Sequence, residues 1–182
     1  ELWGTSHPRT PPSVLLTGLS GVGKTVEVVA PFLALRREMG GVCVSVDAPL
    51  VAIDTQMELL ALIETTLRDD GLSDLGDRVV AASSLRGAVR ELLRLGAVVV
   101  IDEFQRLIGP GGRPVEPIGS MLREIASRTP DDGSFWLVGN RAVDPLWSEP
   151  FLVREFGSPE DEGAIRIVLR SVEPGLAEER FP

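Results

Sequence analysis

The residues with the clearest chemical potential form one glycine-rich run near the start of the chain. Residues 18–25 read Gly-Leu-Ser-Gly-Val-Gly-Lys-Thr and match the pattern G-x-x-x-x-G-K-[ST] at every position. Glycines allow successive backbone N–H groups to turn inward around an anion, and the first turn of a following helix adds its positive dipole end. In such a run the lysine reaches the β- and γ-phosphates, and the threonine hydroxyl is a ligand for Mg²⁺. The run therefore predicts a phosphate-binding loop with a magnesium site.

The binding residues predicted for this loop lie between the end of a strand and the first turn of a helix. They are Gly18, Ser20, Gly21, Val22, Gly23, Lys24, Thr25 and Val26. Lys24 is also counted as catalytic because of its reach to the terminal phosphates, and Thr25 is also counted as a metal ligand. The alternative interpretation is a glycine-rich turn that carries an incidental Lys-Thr pair.

A second chemical feature is an apolar run, residues 97–101, that ends in two carboxylates, Asp102 and Glu103. In an open parallel sheet the carboxyl ends of the strands line the ligand crevice, so Asp102 is expected beside the loop although it lies far from it in sequence. Asp102 would complete the magnesium site, because this hard cation prefers oxygen ligands. Glu103 would act as the general base that polarises the attacking water. Taken alone, an acidic strand end is a weak signal.

These residues need a framework, and the rest of the chain predicts one of the α/β class. Short apolar runs alternate with longer stretches of helical spacing, which is typical of a parallel sheet covered by helices on both faces. Five strands are predicted, at 14–17, 42–46, 97–101, 135–138 and 164–169. Four helices are predicted, at 24–39, 56–68, 84–95 and 115–128, and Pro31 should kink the first or shift its start.

Composition narrows the class of protein. The 182 residues, 43% of them hydrophobic, are enough for one compact domain, which we place at residues 14–182 after an irregular lead-in at 1–13. A first residue other than Met suggests a domain excised from a longer polypeptide. No apolar run approaches the roughly 20 residues that cross a bilayer, and the single cysteine, Cys43, is expected to be buried and fits a reducing cytoplasm. A net charge of −9 argues against nucleic-acid binding, although it leaves it possible.

Together the motifs carry a family resemblance. The Walker A run at 18–25, the Walker B run at 98–103, the phrase Ile-Asp-Glu-Phe-Gln-Arg-Leu at 101–107 and a fourth strand ending in Leu-Val-Gly-Asn at 137–140 resemble the AAA+ ATPases. Within them the chain looks most like the branch that holds STAND signalling NTPases, archaeal ATPases and the helper ATPases of DNA transposition. The resemblance implies a P-loop NTPase three-layer sandwich with strand order 5-1-4-3-2. It also implies ATP or ADP with Mg²⁺ as ligands.

The resemblance assigns further residues. Asn140 matches the polar sensor at the end of the fourth strand, and an arginine after it often reads the γ-phosphate. Arg154 is the first candidate for that arginine, with Arg141 and Arg128 behind it. The family's helical lid would follow the fifth strand, and here it is absent or truncated. The guanine-reading phrase N-K-x-D is missing from the chain, which favours adenine.

Three functions remain open from the sequence. The first is an ATP-binding and ATP-hydrolysing switch of AAA+ or STAND type, which changes conformation or self-associates with nucleotide. The second is a DNA-transaction ATPase of the transposition-helper kind, against which the acidic balance counts. The third is a non-hydrolysing nucleotide-binding module used for assembly.

Overall fold

The computed structural model describes residues 13–51, 54–130 and 133–156. Its centre is a five-stranded sheet in which every strand pairing is parallel. The strands are β1 (Ser13–Gly18), β2 (Cys43–Asp47), β3 (Val98–Asp102), β4 (Ser134–Val138) and β5 (Leu152–Phe156). Their order across the sheet is β2-β3-β4-β1-β5, which is the predicted order read from the opposite edge. The α/β class and the strand order are therefore confirmed.

The central strands form because their residues suit burial on both faces. β3 contributes Val98, Val99, Val100 and Ile101, all of which are essentially inaccessible to solvent, and β-branched side chains pack well on a pleated surface. Its neighbour β4 is buried along its whole length. A parallel strand covered on both sides reads as a continuous apolar run rather than an alternating one, and this explains why these two strands were visible in the sequence.

Helices cover both faces of this sheet. They are α1 (Ala30–Glu38), α2 (Thr55–Asp69), α3 (Ser73–Ala81), α4 (Leu85–Arg94), α5 (Ile118–Ser127) and α6 (Pro145–Ser148). On one face α1 packs over β1 and β4, where Phe32 stacks on Trp136 with ring centroids 4.8 Å apart. On the other face α2, α4 and α5 share one apolar cluster with β2, β3 and β4. No helix in the described segments has both the length and the apolar composition needed to cross a bilayer.

The helix predicted over 24–39 is divided in two. Residues Lys24–Val29 wind as a π-helix, and the α-helix begins only at Ala30. Pro31 lacks a backbone N–H and cannot donate to the carbonyl of Glu27, so a regular α-helical pattern cannot run through this point. The expected shift of the helix start at Pro31 is confirmed.

The fifth strand is not where the sequence placed it. The strand beside β1 is Leu152–Phe156, whereas the predicted run at 164–169 lies outside the described residues. β5 is an edge strand in which two charged residues, Arg154 and Glu155, interrupt the apolar run, and Val153 is 41% exposed. An edge strand needs less apolar surface than a central one, so the short run at 152–156 gave a weaker signal than the more continuous run downstream.

Other boundaries differ in smaller ways. Ser13, assigned to the lead-in, begins β1, and the rest of the lead-in lies outside the described residues. Helix α3 was missed because Gly76 interrupts its pattern. A Cβ at Gly76 would lie 3.2 Å from the Arg68 Cγ atom, so the glycine allows α3 to approach α2 closely. Cys43 is buried as expected, and burial raises the pKa of its thiol.

Candidate functional site

Three parallel strands bring the predicted site residues to one edge of the sheet. β1 ends at Gly18 and β3 ends at Asp102, while Asn140 follows the end of β4, which lies between them. A cavity of about 230 Å³ opens at this edge. It is lined by Ser20, Gly21, Gly23, Lys24, Thr25, Val26, Asp102, Glu103, Gln105, Gly139 and Asn140. The sheet order therefore assembles residues that are more than a hundred positions apart in sequence.

The 18–25 loop takes a shape that its glycines permit. Gly21 and Gly23 have φ values of +81° and +85°, in the left-handed region that L-residues rarely adopt. At Gly23 an added Cβ would also lie 2.7 Å from the Glu27 Cγ atom. The first helical turn closes onto this loop, because the Glu27 N–H donates to the Gly23 carbonyl at 2.6 Å. The loop and the amino end of the π-helix therefore lie together along one wall of the cavity.

Lys24 is held under this loop with its side chain only 8% exposed. Its Nζ donates to the carbonyl oxygens of Gly18 at 3.0 Å and Leu19 at 2.7 Å. Burial lowers the pKa of Lys24 below its usual value, and the negative charges of Asp102 and Glu103 act in the opposite direction. A partly desolvated cation beside an open cavity is stabilised when an anion enters that cavity.

Thr25 and Asp102 form the most direct link between the two motifs. The Thr25 hydroxyl donates to Asp102 Oδ2 at 2.7 Å, across 77 residues of sequence. The other oxygen, Oδ1, accepts from the Glu103 N–H at 2.7 Å. The result is a hydroxyl and a carboxylate oxygen side by side at the cavity wall, which are oxygen ligands of the kind Mg²⁺ prefers. The described residues contain no cluster of three or more His, Cys, Asp or Glu side chains that could hold a metal unaided.

Glu103 sits at a sharp turn after β3, with a φ of +54° that places it in the left-handed region. Its Oε2 accepts from Gln105 Nε2 at 2.6 Å and lies 3.5 Å from Arg106 Nη2. Arg106 in turn donates to the Ala48 carbonyl beyond β2. Non-glycine residues in this conformation carry backbone strain and are concentrated at functional sites. The turn directs the carboxylate toward the cavity instead of along the strand.

Not every predicted residue reaches the cavity in the same way. The Val22 side chain is 4% exposed and packs in the apolar layer around α1, and Val22 does not line the cavity. Gly18 contributes a carbonyl that accepts from Lys24 and does not line the cavity. Val26 lines the cavity and is 68% exposed.

The arginine candidates lie elsewhere. Arg154 is in β5, opposite Leu16 of β1. It does not line the cavity, and its Nη1 donates to the Val153 carbonyl. Arg128 pairs with Glu124 at 3.2 Å, and Arg141 donates to the Ile108 carbonyl. None of the three lines this cavity within the described residues, so an arginine that reads the γ-phosphate stays a prediction.

Two residues of the cavity wall, Gln105 and Gly139, were not predicted as site residues. Gln105 lies on the short 3₁₀ helix Phe104–Leu107 and contacts both Glu103 and the backbone of Asn140. The sequence showed only that a glutamine stands two positions after Glu103. Nothing in that spacing indicates a contact with a residue 35 positions away, because the contact depends on β3 and β4 being neighbours.

No protein-family model and no curated protein matches the chain. Among solved structures, the chain is similar to one chain of the HORMA:CdnC:Trip13 complex of E. coli MS115-1, at 14% sequence identity and a TM-score of 0.43. The similarity covers 94% of this chain and 59% of that one. Similarity at this level identifies neither a family nor a function.

Proposed function

We propose that the chain binds ATP together with Mg²⁺ and hydrolyses it. The observation that carries the proposal is the meeting of Lys24, Thr25, Asp102 and Glu103 around one cavity beneath a loop held open by left-handed glycines. A buried ammonium, a glycine-rich loop of the kind whose backbone amides bind phosphate, and two carboxylates suit a ligand that is a polyanion bound with a cation.

The roles follow from the contacts. Lys24 and the loop amides would bind and orient the terminal phosphates. Thr25 and Asp102 fit a magnesium ion because their oxygens already lie 2.7 Å apart, and Mg²⁺ is commonly held by one or two protein ligands plus substrate phosphates. When bound, the ion would neutralise charge on the phosphate oxygens. Glu103 would accept a proton from the attacking water, and Asn140 would contact the transferred group.

Binding is tested first, by isothermal titration calorimetry with Mg-ATP on the wild-type chain and on Lys24→Met. A charge about 4 Å from a phosphate contributes up to about 4 kcal/mol at an effective dielectric constant of about 20. We therefore expect K24M to weaken binding by about 10² to 10³-fold. Arg94→Met removes the same charge at the exposed end of α4 and should change the affinity by less than about twofold. Equal heats from the wild-type chain and K24M would refute the proposal.

Hydrolysis is tested separately, by phosphate release from the wild-type chain and from Glu103→Gln. Loss of a general base lowers turnover by about 10² to 10⁴-fold, while nucleotide binding should persist. The matched control is Glu149→Gln, which removes a carboxylate that pairs with Arg123 and is 76% exposed. If all three proteins bind ATP but release equally negligible phosphate, the chain is a non-hydrolysing binding module.

The proposal extends to a nucleotide-dependent switch of AAA+ or STAND type. ATP can shift a conformational equilibrium only by contacting one state better than the other. E103Q with Mg-ATP should then elute from gel filtration as a larger species than E103Q with Mg-ADP. DNA binding would replace this interpretation only if it were measurable at low salt and fell steeply as salt increased, since the net charge of −9 opposes it.

A further inference from the structure

The Gln105 side chain bridges two strands at the cavity. Its Nε2 donates to Glu103 Oε2 at 2.6 Å, and its Oε1 accepts from the Asn140 N–H at 3.1 Å. Glu103 follows β3 and Asn140 follows β4, so one amide group ties together the segments that end two neighbouring strands. The two ends of the amide therefore bond the Glu103 carboxylate and the backbone of Asn140, both of which belong to residues given a role in the proposed hydrolysis.

The direction of this bridge is determined by chemistry. A backbone N–H can only donate, so the Gln105 oxygen must face Asn140, and the amide nitrogen must then face Glu103. That nitrogen is a donor, which a carboxylate requires. A glutamate at position 105 could keep the bond to Asn140, but it would place one carboxylate oxygen against another.

The surroundings leave Gln105 little freedom. A Cβ added at Gly139 would lie 3.1 Å from Gln105 Oε1 and 3.2 Å from the Gln105 backbone nitrogen, so the glutamine packs directly on the backbone after β4. Gly139 is itself bonded to the Leu16 carbonyl of β1 at 2.9 Å. On the other side, Phe104 is completely buried and anchors the 3₁₀ helix. A displacement of the 139–140 backbone would therefore be transmitted to the Gln105 amide.

We propose that Gln105 is a positioning residue that couples the end of β4 to the Glu103 carboxylate. It holds Oε2 of Glu103 and so orients the remaining oxygen, Oε1, which is the one left to take a proton from water. Because the same amide bonds Asn140, the orientation of Glu103 follows the position of the segment that would sense the γ-phosphate. This inference rests on the function proposed above.

The test compares Gln105→Met with Gln105→Glu in turnover and binding assays. Q105M keeps the length of the side chain and removes both hydrogen bonds. We expect its kcat to fall by about 10 to 100-fold, as is typical when a residue orients a functional group, with the Kd for Mg-ATP within about threefold of wild type. Q105E should lower kcat further, because it turns the donor that faces Glu103 into a charged acceptor. Gln56→Met, at the start of α2, is the matched control and should leave kcat unchanged.

A second measurement detects the bridge without turnover. Q105E should lower the unfolding temperature more than Q105M does, and adding E103Q to Q105E should recover most of that loss, because the new amide at 103 can donate to the carboxylate at 105. Such recovery would show that the side chains at 103 and 105 are in contact, and the kcat of Q105M then decides whether that contact positions Glu103 or only stabilises the fold.

The outcomes separate the two proposals. If E103Q abolishes turnover but Q105M retains the wild-type kcat, Gln105 does not position Glu103 and only this inference fails. Parallel losses of kcat and affinity in Q105M, or no recovery in the double variant, would also overturn it. If the wild-type chain neither binds Mg-ATP nor releases phosphate, the proposed function fails and the inference fails with it.

Discussion

Replacing the two left-handed glycines of the 18–25 loop tests whether its shape exists before a ligand arrives. Gly21 and Gly23 have nearly the same φ, +81° and +85°, but different surroundings. A Cβ at Gly21 would meet no atom within 4 Å, whereas a Cβ at Gly23 would lie 2.7 Å from the Glu27 Cγ atom. Gly21→Ala therefore measures backbone strain alone, and Gly23→Ala measures the same strain plus a side-chain collision.

The expected magnitudes follow from these geometries. An L-residue in the left-handed region costs about 1–2 kcal/mol. Alanine also restricts the unfolded chain, which offsets about 0.4–1 kcal/mol of that cost. We therefore expect G21A to lower the free energy of unfolding by about 0.5–1.5 kcal/mol. G23A should lose about 0.5–1.5 kcal/mol more, because the Glu27 side chain must leave its present rotamer.

The assay is urea unfolding of the chain without nucleotide, followed by circular dichroism. Glu27→Ala removes the Cγ atom that an added Cβ at Gly23 would meet. In that background, G23A should lower the free energy of unfolding by no more than G21A does in the wild-type background. If G21A is neutral or stabilising, the loop does not hold its left-handed conformation in the absence of ligand, and the argument for a preformed phosphate cradle is wrong.

Two further predictions concern charge and packing. Lys24 is the only lysine, the chain has no tyrosine, and burial lowers the pKa of Lys24 from its usual 10.5. Between the folded pKa of Lys24 and 10.5, the unfolded chain binds more protons than the folded chain. The free energy of unfolding should therefore rise with pH in this window. Urea titrations in a Cys43→Ala background should show this rise, and K24M in the same background should remove it. The Cys43 replacement is needed because the raised pKa of that buried thiol acts with the opposite sign. Trp136→Ala should lower the free energy of unfolding by about 3–5 kcal/mol, because the ring is fully buried against Phe32; a loss below about 1 kcal/mol in the same assay would contradict the packing described for that face.

Much of the framework was readable from local patterns. The central strands were predictable from β-branched apolar runs, because both of their faces are buried. The predicted starts at 84 and 56 lie within one residue of those of α4 and α2, where Ser84 accepts from the Gly87 N–H and Asp54 accepts from the Met57 N–H. The glycine pattern and the acidic strand end were sufficient to propose which residues face one cavity, because parallel strands direct their carboxyl ends to the same edge.

The tertiary structure decided what depends on neighbours across the sheet. The sequence did not predict β5, because an edge strand needs only one well-covered face. Arg154 lies in this strand and does not line the cavity. The bridge from Gln105 to Asn140 is invisible in sequence, since it requires β3 and β4 to be neighbours in the sheet. Local residue types determine which groups could do chemistry here, but the distances between those groups are set by strand order, which is a property of the whole chain.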